Sequence, residues 1–412
     1  MGMPVSSVDT VTGPCNPKEL GNAVLPLYEC PGTVYSVRAF ARKHLKLLEP
    51  HERRFLSKFF TELAGEIEVP QPLTKCLGRS EDFSIHRTPT LTARRCGARS
   101  AFLVEKRLKF KGCRPVWDGA TYPSEILPFS GTRLRRIRIP FGTLSREAVM
   151  REILGYCFCL LHRITPHGTP LCVYEYEWEG RIYGYCLVME TVGETRAEEF
   201  IEYPDMTVGN LKAAIGAGEV TGCYVLGSEL RLRGLNLWWY VENKGRLLVQ
   251  MHTNGGFRGI LNSNIGNDVI AGLGGPALSL FLCDFDTFKV VAMPRKPNAR
   301  FVRSFMLHCL IEVVKGSISI LDYLELPDAL EPARRAEALA QVYLAKSSLW
   351  HAYRRRLAAQ VRAGPWDYAL LEPAFRRAIR TPVIAHVLGE CVLNNHSLRE
   401  AERHRGVYYP HN

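Results

Sequence analysis

Phe257-Arg258-Gly259-Ile260-Leu261-Asn262-Ser263-Asn264-Ile265, with Asp284-Phe285-Asp286 after it, is the stretch that decides how this chain is read. Leu247-Leu248-Val249-Gln250-Met251-His252 is an apolar lead-in, and an apolar run over 277–283 delivers Asp284. The carboxamide of Asn264 and the carboxylate of Asp284 each follow an apolar segment, which suits an oxygen-ligand metal site. Mg²⁺ takes one or two carboxylates and fills its shell with water and phosphate oxygens rather than an all-protein cage.

Upstream, residues 145–162 form a strong helix pattern. Ser145 is an N-cap residue, Glu147 lies in the first turn, and Val149, Ile153, Tyr156 and Leu160 make an apolar stripe that Met150, Leu154, Cys157 and Leu161 widen. Glu152 stands among Ala148, Val149, Gly155 and Tyr156, all small or apolar. A carboxylate there is costly unless it is paired or reaches water at the edge. Glu147 and Arg151 match each other at i,i+4 on the outer face, which leaves Glu152 to find a cation elsewhere.

Before that helix, residues 1–35 are rich in Pro, Gly and Ser and read as an arm, and 37–63 has helical spacing up to the break at Pro70-Gln71-Pro72. From about 80 the pattern is short strands: 90–93, a turn at Arg94-Arg95-Cys96-Gly97-Ala98, then 101–104 and 107–112, where Leu108 and Phe110 alternate with Arg107, Lys109 and Lys111. Residues 113–135 read as a long connection, with a short strand at 134–139. After the helix, 171–176 and 183–190 flank Glu179-Gly180 as a hairpin. Residues 196–201 and 208–215 are helical, whereas 235–251 admits either a helix or, through Asn243-Lys244-Gly245, a hairpin. An apolar helix at 302–314 and further helices, with Arg354-Arg355-Arg356 on a solvated face, complete the chain.

The totals set the class. The chain has 412 residues, 46% hydrophobic and 23% charged, the balance of a soluble globular protein of one or two domains. A net charge of +12 allows an anionic partner or a solvated basic surface. The 13 cysteines lack a CxxC pair and mostly sit in apolar segments, which fits a reducing, cytoplasmic setting without a disulfide framework. No apolar run is long enough for a membrane span, and the opening Met1-Gly2-Met3-Pro4-Val5-Ser6 matches only a short, common lipidation pattern.

The order of strand meander, helix, strand pair, helices, loop and aspartate resembles the protein-kinase fold. Residues 257–264 have the length and register of the HRDxxxxN loop, with Arg258 and Asn264 in place, Phe257 at the histidine position and Gly259 at the aspartate position. Asp284-Phe285-Asp286 looks like DFG with its glycine replaced. The motif order is also similar to selenoprotein O, a kinase-fold AMP-transferring family: Lys111-Gly112-Cys113-Arg114-Pro115, Arg151-Glu152-Ile153, then Gly259-Ile260-Leu261-Asn262-Ser263-Asn264. The spacing from Lys111 to Glu152 is longer here, and Ser263 stands where an acidic residue would.

The resemblance implies an α+β, two-lobed protein-kinase-like fold with a β-rich N-lobe at 80–195, a helical C-lobe at 196–412 and an N-terminal extension at 1–79. It implies ATP and Mg²⁺ as cofactors. Lys111 would neutralise phosphates and pair with Glu152, with Arg136 or Arg138 as the alternative cation. Gly97 would let the strand turn approach the phosphates. Met189 to Val192, with Glu190 among them, would bracket the adenine through backbone groups. Asn264 and Asp284 would hold the metal, with Asp286 as a second carboxylate. Arg258 is expected to brace a nearby loop, and His252 to pack.

Three functions follow: a transferase moving an adenylyl or phosphoryl group to a protein, RNA or small-molecule acceptor; a pseudokinase that binds nucleotide or serves as a scaffold; and a basic nucleic-acid-associated protein. Gly259 can neither take a proton nor orient a hydroxyl, which sets the first two against each other. The third has its nearest support in Arg231-Leu232-Arg233 followed by Trp238-Trp239-Tyr240, aromatics expected in the core.

Overall fold

In a computed structural model the described residues are 32–62, 100–103, 108–112, 121–126, 135–140, residue 356, and 143–321 apart from short gaps at 165, 179, 192–194, 218–226, 260–262, 264, 274, 276 and 295–297. The expected strand at 90–93, the turn at 94–98 and the C-terminal helices beyond 321 lie outside them.

The described residues form a mixed α and β structure in which an antiparallel sheet packs against a helix. The sheet has five strands in the order β1-β6-β7-β3-β2, from β1 (Gly32–Ser36), β2 (Ser100–Leu103), β3 (Leu108–Lys111), β6 (Gly168–Trp178) and β7 (Arg181–Thr191). The hairpin β6–β7 turns at Gly180, whose φ of 71° suits glycine. β3 pairs β7 with Lys111 opposite Leu187, and β2 pairs β3.

Helix α3 (Arg146–Leu161) begins as its sequence dictates: the Ser145 hydroxyl accepts the Ala148 N–H at 3.1 Å. It is buried over 148–159 apart from Arg151, which is partly exposed, so beyond its first turn the exposed residues are Leu160 and Leu161 at its end. A helix covered all round lies between layers.

The cover comes from the N-terminal residues, and here the arm and the single long helix expected from the sequence are corrected. Gly32–Ser36 is an edge strand paired with β6. Helix α1 (Val37–His44) starts on the Ser36 cap and gives way to a 3₁₀ turn at Leu45–Leu47. Helix α2 (Pro50–Glu62) then begins afresh. Pro50 is the cause: it lacks an N–H and is tolerated only in a first turn. The sheet therefore draws on residues on both sides of the expected boundary at 79/80.

Glu52 of α2 is 1% exposed and acts as a clasp. Its two oxygens accept Arg151 Nη1 of α3 at 2.7 Å each, and they also accept the N–H groups of Glu49 and Val290 at 3.0 Å. Arg151 turns inward to it and keeps only a long 3.6 Å contact to Glu147, the expected outer-face partner. The expected connection at 113–135 also contains a strand: β4 (Thr121–Ile126) pairs β5 (Arg135–Pro140) as a separate two-stranded ribbon.

Beyond β7, the two-residue strand β8 (Thr195–Arg196) leads to α4 (Ala197–Glu202) and α5 (Gly209–Gly216). The ambiguous stretch is one helix, α6 (Gly227–Thr253), in which Asn243 satisfies its side chain on the Trp239 carbonyl at 2.8 Å. Strand β9 (Gly256–Phe257) pairs β12 (Lys289–Val290), and β10 (Asp268–Ala271) pairs both β11 (Ser279–Leu282) and β8. Helix α7 (Ala299–Leu321) packs beneath. Arg356 meets Glu242 of α6 at 2.9 Å.

Candidate functional site

Side chains two apart on a strand share a face. On β3 this puts Lys109 and Lys111 together, 3% and 4% exposed, while Phe110, also buried, is on the opposite face. The Lys111 ammonium is ion-paired with both Glu152 of α3 and Asp284, which follows β11. Glu152 Oε1 also accepts the Phe285 N–H at 2.8 Å, so one carboxylate ties strand, helix and the segment after β11 together.

Two backbone features make this junction possible. A Cβ at Gly155 would lie 2.5 Å from the Phe285 ring, so glycine in mid-helix admits that ring against α3. Asp284 has φ of 62°, a left-handed conformation that is uncommon outside glycine and concentrates at functional sites. Burial opposes the charge of Lys111, but Asp284 and Glu152 outweigh it and hold its pKa well above the usual value. Burial likewise pushes Asp284 up, and Lys111, then Lys109, then Arg196 reverse that and keep it below the usual carboxylate range.

The loop before β10 is braced from beneath. Arg258 is fully buried; its Nη1 meets Asp268 Oδ1 at 2.8 Å and its Nη2 meets the carbonyls of Cys283 at 2.6 Å and Asn267 at 3.2 Å. This is the structural role expected of it. Asp268 also accepts the Tyr240 hydroxyl at 2.7 Å and pairs with Lys244 of α6. Burial lowers Lys244 to about 8 against the pull of Asp268. From α7, Glu312 accepts the Gly259 N–H at 2.7 Å and pairs with His252 at 2.9 Å. His252 is packed as expected, stacked on Phe257 at 5.0 Å; burial works against its charged form, but Cys309 and Glu312 raise its pKa to about 10.

The cleft over this junction is lined by Lys109, Lys111, Glu152, Tyr156, His167, Gly168, Met189, Cys283, Asp284 and Phe285. Of the residues expected from the sequence, Lys111, Glu152 and Asp284 are brought together. Asp286 is half-buried two residues on and adds to the field at Lys111. Glu190 has an exposed side chain and stands between Leu108 and Thr169 in the ladder; Met189, not Glu190, lines the cleft. Arg136 lies in the β4–β5 ribbon opposite Glu125, with Lys111 filling the place at Glu152. Gly97, Asn264 and the side chain of Arg136 lie outside the described residues. Of the aromatics weighed for nucleic acid, Tyr240 is buried on Asp268, Trp239 packs on Phe200 and Trp238 is 40% exposed.

Sequence reasoning missed Lys109, Glu52, Asp268 and Glu312. Lys109 alone had a local signal, its i,i+2 spacing from Lys111. Among the described residues no group of three or more His, Cys, Asp or Glu side chains could cage a metal. Mg²⁺ takes only one or two carboxylates and fills the rest of its shell with water and phosphate oxygens, so it does not need such a cage.

No protein-family profile matches the chain, and no curated protein matches it. The similarity to selenoprotein O therefore rests on motif order alone. Solved structures that match include one described as WaaP in complex with acyl carrier protein, at 13% identity over 81% of this chain and 98% of that one, with a TM-score of 0.29. A glucosamine kinase matches at 12% identity over 78% of this chain and 80% of that one, with a TM-score of 0.31. Superpositions this loose carry no argument, so function is argued from the site.

Proposed function

We propose that the chain is an atypical kinase-fold transferase that binds ATP and Mg²⁺ and moves a phosphoryl or adenylyl group to an acceptor. One observation carries the reading: Lys111 of the sheet, Glu152 of the helix behind it and Asp284 after β11 converge in a cleft. Three charged groups from distant parts of the sequence are costly to bury for packing alone. Their chemistry suits phosphate: a lysine to neutralise it, a glutamate to aim the lysine, and an aspartate at strained backbone to face a metal. Asp284 and Asp286, with Asn264, would hold Mg²⁺, which supplies charge neutralisation at the phosphates. In this reading the five-stranded sheet with α3 is the N-lobe, and the elements after β7 are the C-lobe.

A pseudokinase is the second reading, and Gly259 favours it. Its φ of 93° and the 2.5 Å from a Cβ there to Thr287 Oγ1 leave no place for an aspartate. Adenylyl transfer, which the similarity to selenoprotein O suggests, fits a site without that base.

Thermal unfolding with ATP, with and without Mg²⁺, tests nucleotide binding in the wild type and in Asp284→Ala. The expected result is a stabilising shift that Asp284→Ala loses when Mg²⁺ is present; no shift in the wild type under either condition refutes both nucleotide readings. Mass spectrometry after incubation with ATP then separates added phosphate, added AMP and no reaction, the last supporting the pseudokinase.

A further inference from the structure

The helices that cover α3 turn a basic side outward. Residues 32–62 hold seven lysines and arginines against three glutamates. Most of the carboxylates there and beside it are already engaged: Glu52 is buried on Arg151, Glu175 accepts Tyr35 and stands 3.8 Å from Lys43, and Glu62 meets Lys58 at 3.7 Å. Arg38, Arg42, Lys46, Arg53 and Arg54 make no ion pair among the described residues. Arg42, Lys46 and Arg54 are exposed, and Arg53 is steadied by its Nε on the Leu48 carbonyl at 2.7 Å. Helix stability does not ask for these cations. Arg38 and Arg53 lie in the first turns of α1 and α2, where the helix dipole favours carboxylates, and Arg54 and Lys58 are like charges one turn apart. Apolar side chains of the layer are turned inward: Phe40, Leu56 and Phe59 are buried, and Leu47 is the only large apolar side chain exposed among its described residues.

We propose that the outward side of α1 and α2 binds the phosphate backbone of a nucleic acid, by charge and without reading bases. Protein interfaces are anchored by buried aromatic side chains, and membrane-surface helices by an apolar face. This layer uses both kinds of group against the core. Unpaired cations without an apolar anchor match a partner whose negative charge is dense and regular, and arginine forks suit phosphate oxygens. None of these residues lines the cleft, so the inference stands apart from the nucleotide reading.

Fluorescence anisotropy of the full chain with labelled DNA and RNA duplexes of arbitrary sequence, in salt from about 50 to 200 mM, tests it. The wild type is expected to bind at least one duplex, with log affinity falling linearly against log salt, and the two duplexes show whether DNA or RNA is the source. Arg42→Glu with Arg54→Glu is expected to weaken binding by about tenfold or more and to flatten the salt slope by about two, roughly one for each lost contact. Arg300→Glu with Arg303→Glu, exposed on α7, changes the net charge equally and is expected to stay within about twofold. Equal losses from the two double variants overturn the inference, because overall charge and not this face would then bind. Binding of neither duplex in about 50 mM salt overturns it as well. So does binding of phosphatidylserine vesicles or polyglutamate without either duplex, which assigns the face to a membrane or an acidic protein. Should the reversed pair not fold, Arg42→Gln with Arg54→Gln reads the same change of slope.

Discussion

Gly259 occupies the position where the kinase resemblance calls for aspartate, and its surroundings explain why aspartate is not there. Its N–H is held by Glu312, its φ is 93°, and Thr287 Oγ1 fills the space a Cβ would take, itself held by a hydrogen bond to the Arg258 carbonyl at 2.6 Å. Restoring the aspartate should therefore fail. Gly259→Asp is expected to lose at least about 1–2 kcal/mol from the left-handed backbone alone, with no gain of phosphoryl transfer; denaturant unfolding and a transfer assay check the two halves. Glu152→Gln is the complementary change. It leaves Lys111 with Asp284 as its one carboxylate partner in the cleft and weakens the hold on Phe285. The expected cost is about 3 kcal/mol, the low end for breaking a buried pair, together with loss of the ATP-dependent thermal shift. Retention of that shift would mean that Glu152 aims nothing.

Helix α3 can carry Glu152 only if something fixes its rotation, and α2 supplies that. Glu52 joins Arg151 of α3 to the backbone of Val290, and Arg151 Nη1 reaches the Phe288 carbonyl at 3.2 Å. Glu52→Ala leaves the partly buried Arg151 guanidinium with only the Phe288 carbonyl and a long contact to Glu147, and is expected to cost about 3 kcal/mol, the low end for breaking a buried pair. The double variant with Arg151→Leu should recover part of that loss, a coupling read by a denaturation cycle; strict additivity would show that the clasp does not act as a unit. None of this was legible from the sequence, since Glu52 and Arg151 are distant in the chain and each has a bland local reading. What could be read were features with local chemistry: the Ser145 cap, the Gly180 turn, the alternation at Lys111 and the isolation of Glu152 on an apolar helix. Pro50 was a local signal too, and the helical spacing on either side of it hid the break. At Asn243-Lys244-Gly245 the turn signal lost to tertiary contact, because Lys244 reaches inward to Asp268 and α6 runs through. Glycine at 259 was visible, but its backbone angle and the threonine against it were not.

Buried charge under the loop gives the whole molecule a dependence on pH that distinguishes its two braces. His252, against Cys309 and Glu312, has its pKa raised to about 10 from an ordinary 6.5. Between those values the folded chain holds a proton that the unfolded chain has lost. The stability from this pair is therefore complete below about pH 6.5 and drains away as pH rises toward 10. Lys244 runs the other way. Burial lowers it to about 8 from 10.5, so between those values the unfolded chain holds the extra proton and raising the pH favours the fold. Denaturation midpoints from pH 6 to 10.5 for the wild type, His252→Asn and Lys244→Met separate the two contributions. The advantage of the wild type over His252→Asn is expected to shrink from pH 6.5 upward. Relative to Lys244→Met the wild type should improve between pH 8 and 10.5. Curves that stay parallel to the wild type would show that neither group changes its protonation on folding, and that the loop is braced by packing and by the Arg258–Asp268 pair instead.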